Sequence, residues 1–311
     1  MSTVLVIGAG AIGAFYGGVL ARAGCEVSAV ARTDFDVVAA QGYRIDSHLG
    51  DLSWRPAQVV RSSADYRGVA DFLLVCLKLT ARTDPVALIR PALGKDTVIV
   101  FVANGIDIDA PVAAAFPANE LVSGVAYAAV SREAGGVVKH HSQYTRLVLG
   151  RYPGGASTTA TRLADLIKQG GSSALATDDI VGARWQKCAW NSVLNPISAL
   201  GGGLGTQDIL GSERTTALVR EAIGEFASVA AKAGHPIPAD TADKLIAGTR
   251  KLPNYVSSMG QDQLAGRPME TEALLGNVVR LAEKYAVQAP RLQALYALLK
   301  MAEQRAAPGI A

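Results

Sequence analysis

Apolar positions along the chain fall into two regimes. Over the first half they come as short unbroken runs separated by stretches of helical spacing. The run Thr3–Ile7 (TVLVI) meets Gly8, a helix is predicted over 11–23, and a second run covers 26–31. Further runs cover 71–77 (DFLLVCL), 97–103 (TVIVFVA) and 121–127, with a helix predicted over 85–93. Continuous apolar strands alternating with helices indicate a parallel sheet covered on both faces. The pattern is irregular over 43–60, which reads as an insertion. Segments 136–141 and 146–149 read as a late antiparallel pair. A turn-rich stretch over 154–159 then leads into a helix ending about Gln169.

The second regime begins near Asp178. Strand runs stop there, and helical periodicity covers Ile180–Leu200, 213–233, 239–250, 272–286 and 290–303. The expected organisation is a sheet domain over 1–178 and a mostly α-helical domain over 179–311. No internal repeat or low-complexity tract interrupts it, and the tail after Arg305 is expected to fray.

The junction of the first strand and first helix carries candidate chemistry. Gly8, Ala9, Gly10, Ala11, Ile12 and Gly13 match G-x-G-x-x-G in the strand-to-helix setting that pattern needs. The first glycine makes a tight turn, the second admits a pyrophosphate, and the third lets helix pack on strand. The reading is α/β, with an N-terminal Rossmann-type parallel sheet that binds a dinucleotide. An acid at the end of the second strand bonds a ribose 2′-hydroxyl, whereas a cation there receives a 2′-phosphate. Here that strand runs into Arg32 and Thr33, which favours NADP. Asp34 pulls the other way.

Composition narrows the classes. The 311 residues are 50% hydrophobic and 18% charged, enough apolar content to bury cores. Lys and Arg total 30 against 27 Asp and Glu, a net charge of +3, too mild to imply nucleic acid or an anionic membrane. The three cysteines, Cys25, Cys76 and Cys188, are scattered, which predicts neither a metal site nor a disulfide framework. Residues 1–21 carry no charge, yet five glycines and the lack of a leading basic residue argue against a signal peptide or membrane span. A cytoplasmic protein is expected.

The most informative stretch of the helical half is Lys187-Cys-Ala-Trp-Asn191-Ser-Val-Leu-Asn195. Spacings of four and eight put one lysine and two asparagines on one helical face amid apolar neighbours. A polar stripe on a buried helix needs partners. A substrate could supply them, or the asparagines could bond neighbouring loops; the spacing alone does not choose. Pro196 predicts a kink or break just after Asn195.

With these residues in place, the chain resembles the ketopantoate reductase (2-dehydropantoate 2-reductase) family. The resemblance runs in order from the Gly8 loop through Arg32, Lys78, Asn104-Gly105, Lys187, Asn191, Asn195 and Pro196. It continues to Ser257-Ser258-Met259-Gly260-Gln261-Asp262 and Glu270. It implies an N-terminal Rossmann domain, a helical domain, and an active site in the cleft between them. It also implies hydride transfer from NADPH to the C2 carbonyl of a small 2-keto acid, with Lys187 as general acid. Asn191, Asn195 and Ser258 would hold the substrate, and Asn104 would serve substrate and nicotinamide ribose. Glu270 would bond cofactor ribose or substrate and tune Lys187, and Lys78 would join the cofactor site. Taken singly, Lys78 reads as a solvated strand-end lysine, Asn104-Gly105 as a turn, and Ser258 as a helix cap.

One departure bears on the substrate. The family has another asparagine in the loop after the lysine helix, and here that loop reads Gly201-Gly-Gly-Leu-Gly205-Thr. Reduction of ketopantoate leads, reduction of another 2-keto acid is the alternative, and a non-catalytic dinucleotide sensor stands third. The apolar helical half is compatible with a homodimer as well as with an ordinary core.

Overall fold

The computed structural model describes residues 1–47 and 50–306, the side chains of 142–143 and 305–306 excepted. Chain contacts divide it into two units. The first comprises Met1–Lys78, Thr83–Ala103 and Ile108–Ile180. The second takes Leu79–Arg82, Asn104–Asp107 and everything from Val181 onward. The helical unit thus includes two short segments drawn from within the sheet half of the sequence.

The first unit is built on one sheet. Its strands are β1 (Thr3–Ile7), β2 (Glu26–Val30), β3 (Tyr43–Ser47), β4 (Leu52–Trp54), β5 (Val59–Val60), β6 (Phe72–Val75), β7 (Val98–Val102), β8 (Leu121–Arg132), β9 (Val137–Arg151) and β10 (Ala174–Ala176). They lie in the order β4-β3-β9-β8-β7-β6-β1-β2-β5, with β10 on β9. The stretch β5-β2-β1-β6-β7-β8 is parallel throughout. Its central strands are apolar on both faces, and Leu5, Leu73 and Phe101 are fully buried. Helices α1 (Ala11–Arg22), α2 (Phe35–Gln41), α3 (Pro85–Ile89), α4 (Ala110–Ala115) and α5 (Thr158–Gln169) complete this unit.

Two expectations change here. Segment 146–149 and all but the first residue of segment 136–141 belong to one strand, β9, whose antiparallel partner is β8. The polar run between them interrupts the apolar pattern, and the register shifts at Ala128/Val130, but the strand continues. The irregular 43–60 stretch holds the β3–β4 hairpin and β5, strands too short to show a period. Trp54 from that hairpin packs where Gly17 and Gly18 leave α1 without side chains, and its Nε1 donates to the Ala14 carbonyl at 3.1 Å. These glycines of the uncharged N-terminal run serve close packing.

The second unit contains α6 (Ile180–Leu200), α7 (Thr206–Leu210), α8 (Glu213–Lys232), α9 (Thr241–Thr249), α10 (Ser258–Leu264), a π turn over Glu272–Gly276, α11 (Asn277–Lys284) and α12 (Pro290–Ala306). Val219, Ala222, Ile223, Phe226, Val229 and Ala230 form the buried stripe of α8, which packs against α7, α9, α11 and α12. Helix α6 runs through Pro196 without the expected break. Val193 and Leu194 before the proline and Ala199 after it are all core residues. Their burial on both sides offsets the lost hydrogen bond. Ala306 still belongs to α12, and the rest of the tail expected to fray lies outside the described residues.

Candidate active site

In the first unit the glycine loop has the shape its sequence predicts. Gly8 adopts φ +86°, and a Cβ there would lie 2.5 Å from the Cys76 carbonyl oxygen. The Gly10 N–H donates to the Gly8 carbonyl at 2.7 Å, closing the turn. A Cβ on Gly13 would collide with the Gly8 carbonyl oxygen, whereas one on Gly10 would meet nothing within 4 Å. Ala9 is buried, and Ala11 and Ile12 open α1 half-buried. No side chain caps α1, and its first turn holds no acid. Its first N–H groups are therefore open to an anion, which the helix dipole favours.

Arg32 and Asp34 separate cleanly. Arg32 is exposed and has no hydrogen-bond or ion-pair partner among the described residues. Asp34 turns inward, with its carboxylate 3.7 Å from the Arg132 guanidinium. Lys78, the last residue of its segment, is exposed, and its carbonyl accepts the Thr83 hydroxyl at 2.8 Å.

The second unit gathers Asn104, Lys187 and Glu270. Lys187 on α6 donates to Asn104 Oδ1 at 2.7 Å. Asn104 is held by its neighbours in the chain. The Ile106 N–H donates to the Ala273 carbonyl at 2.9 Å, and the Asn277 amide donates to the Ile106 carbonyl at 2.7 Å. Gly105 takes φ +126° there, and a Cβ would lie 2.6 Å from the Ala273 carbonyl oxygen, so the turn needs glycine on both counts. Glu270 is 6% exposed, and its Oε1 accepts the Leu79 N–H at 3.0 Å. The π turn that follows is a backbone feature often found at functional sites.

Burial lowers the Lys187 pKa to about 8, and the Arg184 charge pushes the same way. The Cys188 sulfur, when ionised, and the Glu270 carboxylate oppose both effects. An ammonium with such a pKa is mostly charged near neutral pH yet gives up its proton readily, as a general acid must.

The asparagines lie where the spacing puts them, on the Lys187 face of α6. Asn195 is 5% exposed and Asn191 half-buried. Neither side chain has a hydrogen-bond partner among the described residues, so neither bonds a neighbouring loop. Both amides are thus left available to hydrogen-bond a ligand. Ser258 is exposed and does not cap its helix. Ser257 does, accepting the Gly260 N–H at 3.1 Å. Sequence reasoning passed over Arg184, three residues before Lys187 and donating to the Gly105 carbonyl at 3.3 Å. Its only sequence signal is the helical spacing from Lys187. Among the described residues no group of His, Cys, Asp and Glu side chains could hold a metal ion. No helix there is long and apolar enough to cross a membrane.

Residues 4–154 match the family model of ketopantoate reductase PanE/ApbA, and residues 179–303 match its C-terminal counterpart. The chain belongs to the ketopantoate reductase family. Its relatives include a 2-dehydropantoate 2-reductase of Mesorhizobium japonicum, 30% identical over 96% of both chains. One from a Nostoc species is 26% identical over 96% of this chain and 95% of that one. The crystal structure of 2-dehydropantoate 2-reductase from Methylococcus capsulatus matches at 47% identity and a TM-score of 0.93, over 99% of each chain. In this ketopantoate reductase family member, the matched segments include the Gly8 loop, Asn104, Lys187 and Glu270.

Proposed function

We propose that the protein reduces 2-dehydropantoate to pantoate with NADPH. The observation that carries this reading is the Lys187–Asn104 hydrogen bond, beside two unpartnered asparagines on the same helical face. The first unit fits the cofactor. The loop is closed around Gly8 and Gly13 and open above Gly10, and the start of α1 is bare of acids. Gly8, Ala9, Gly10, Ala11, Ile12 and Gly13 would take the pyrophosphate. Arg32 would take the 2′-phosphate, since Asp34 is engaged with Arg132. Lys78, Asn104 and Glu270 would contribute to the cofactor site as the family's pattern implies.

NADPH supplies the hydride that goes to C2 of the keto acid. The protein does the rest. Lys187 polarises the carbonyl oxygen and gives it a proton as negative charge develops there. Asn104 orients the ammonium, and Glu270 keeps it charged against the pull of burial. Asn191, Asn195 and Ser258 hold the substrate's carboxylate and hydroxyl.

A second reading, reduction of a different 2-keto acid, is favoured by the loop after α6. Gly205 offers no side chain, and the Asn254 amide fills the space beside it. Both ends of that amide are engaged, Oδ1 by the Gln207 N–H at 2.9 Å and Nδ2 on Asp208 at 3.1 Å. The test is NADPH oxidation with ketopantoate beside a panel of other 2-keto acids. Turnover with ketopantoate supports the first reading, and turnover only with another acid supports the second. Tight NADPH binding with no turnover would make the protein a dinucleotide sensor.

A further inference from the structure

Arg184 has no part in the chemistry above. It precedes Lys187 by three residues on α6, so the two side chains leave the same side of the helix. It is 3% exposed, an uncommon place for a guanidinium, which keeps its charge inside proteins. Nη1 donates to the Gly105 carbonyl at 3.3 Å. Helix α6 therefore holds the Gly105 peptide through Arg184. The residue before Gly105 is Asn104, which receives the Lys187 ammonium. Arg184, Gly105, Asn104 and Lys187 form a closed circuit.

We propose that Arg184 is a positioning residue for Lys187: its guanidinium fixes the turn that carries Asn104, and its permanent charge acts on the ammonium from one helical turn away. This rests on reading Lys187 as the proton donor. Among the described residues, the charged and titratable groups that act on Lys187 include Arg184 and Cys188 on α6 and Glu270 ahead of the π turn. Asn104 is neutral. Glu270 strengthens the lysine's hold on its proton and Arg184 weakens it. Without Arg184 the ammonium would be a poorer acid. Without Glu270 it would discharge at lower pH.

The experiment titrates Lys187 directly. Full-length protein carrying 13C,15N-lysine is followed by NMR against pH, with the Lys187 signal assigned by its loss in Lys187→Ala. Arg184→Met and Arg184→Gln should each raise the Lys187 midpoint by about half a unit or more, because a nearby like charge is gone. Arg184→Lys keeps the charge and should leave the midpoint in place. An arginine with only a structural role would lower the melting temperature of these variants without raising the midpoint. That result overturns the proposal, as would failure of both neutral variants to fold. The high-pH fall in kcat for NADPH-driven keto-acid reduction should move with the midpoint. A wild-type chain that reduces no keto acid would overturn the functional reading, while the titration would still decide the role of Arg184.

Discussion

Lys187 and Asn104 meet at 2.7 Å, across 83 positions of sequence. The bond gives the ammonium a fixed direction and a neutral partner that cannot take its proton. The arrangement makes opposite predictions for activity and for stability as pH rises. Reduction should fall as pH passes through about 8, because only the ammonium can donate. Stability should do the reverse. The folded pKa lies below the ordinary 10.5, so between about 8 and 10.5 the unfolded chain binds more protons and Lys187's contribution to stability rises. Comparing melting temperatures of wild type and Lys187→Met across that window isolates the effect. In turnover, Lys187→Ala should lower kcat by roughly 10²–10⁴-fold with NADPH affinity intact. Lys187→Arg should rescue little, since a guanidinium does not release its proton.

Gly10 and Gly13 should fail in different ways. A Cβ on Gly13 collides with the Gly8 carbonyl oxygen, so Gly13→Ala should lower the melting temperature by several degrees. A Cβ on Gly10 meets no protein atom within 4 Å. Gly10→Ala should therefore fold normally yet bind NADPH at least about tenfold more weakly, a loss near 1.4 kcal/mol. Unchanged NADPH affinity in Gly10→Ala would remove the loop from the cofactor site.

Arg32 should discriminate between cofactors. Arg32→Ala should weaken NADPH by about 1–3 kcal/mol and leave NADH nearly unchanged. Asp34→Asn should not alter the ratio, because its carboxylate is turned toward Arg132. Isothermal titration with both cofactors measures each quantity, and a wild-type preference for NADH would end the NADP reading.

Asn191→Ala and Asn195→Ala should raise the KM for the keto acid while sparing cofactor affinity and melting temperature. Their side chains hold nothing in the protein, so the fold loses no hydrogen bond with them. A drop in melting temperature comparable to a core substitution would assign them a structural role instead.

The parallel core of the sheet was legible because both faces of its strands are buried, leaving unbroken apolar runs such as TVLVI and TVIVFVA. The β3–β4 hairpin was not, because three- and five-residue strands carry too little period. Polar residues inside β9 hid its length. Pro196 misled because a local rule was overridden by core packing on both sides of it. At the candidate site, the stripe Lys187, Asn191, Asn195 could be read from helical spacing alone. The meeting of Asn104 with Lys187, and of the Leu79 N–H with Glu270, joins positions far apart in sequence, where periodicity says nothing. Arg184 looked like any arginine until its burial was visible.

The passage of Leu79–Arg82 and Asn104–Asp107 into the helical unit limits what a gene fragment can encode. A C-terminal piece starting at Val181 would lack Ile106, a buried member of its own core, and every backbone bond that segment makes to the π turn. It would also leave the Glu270 carboxylate without the Leu79 N–H. The helical half is thus not a transferable cassette. Recombination could exchange it between relatives only if the two short segments of the other half remained compatible with it. A split protein should recover its structure only when both pieces are supplied together.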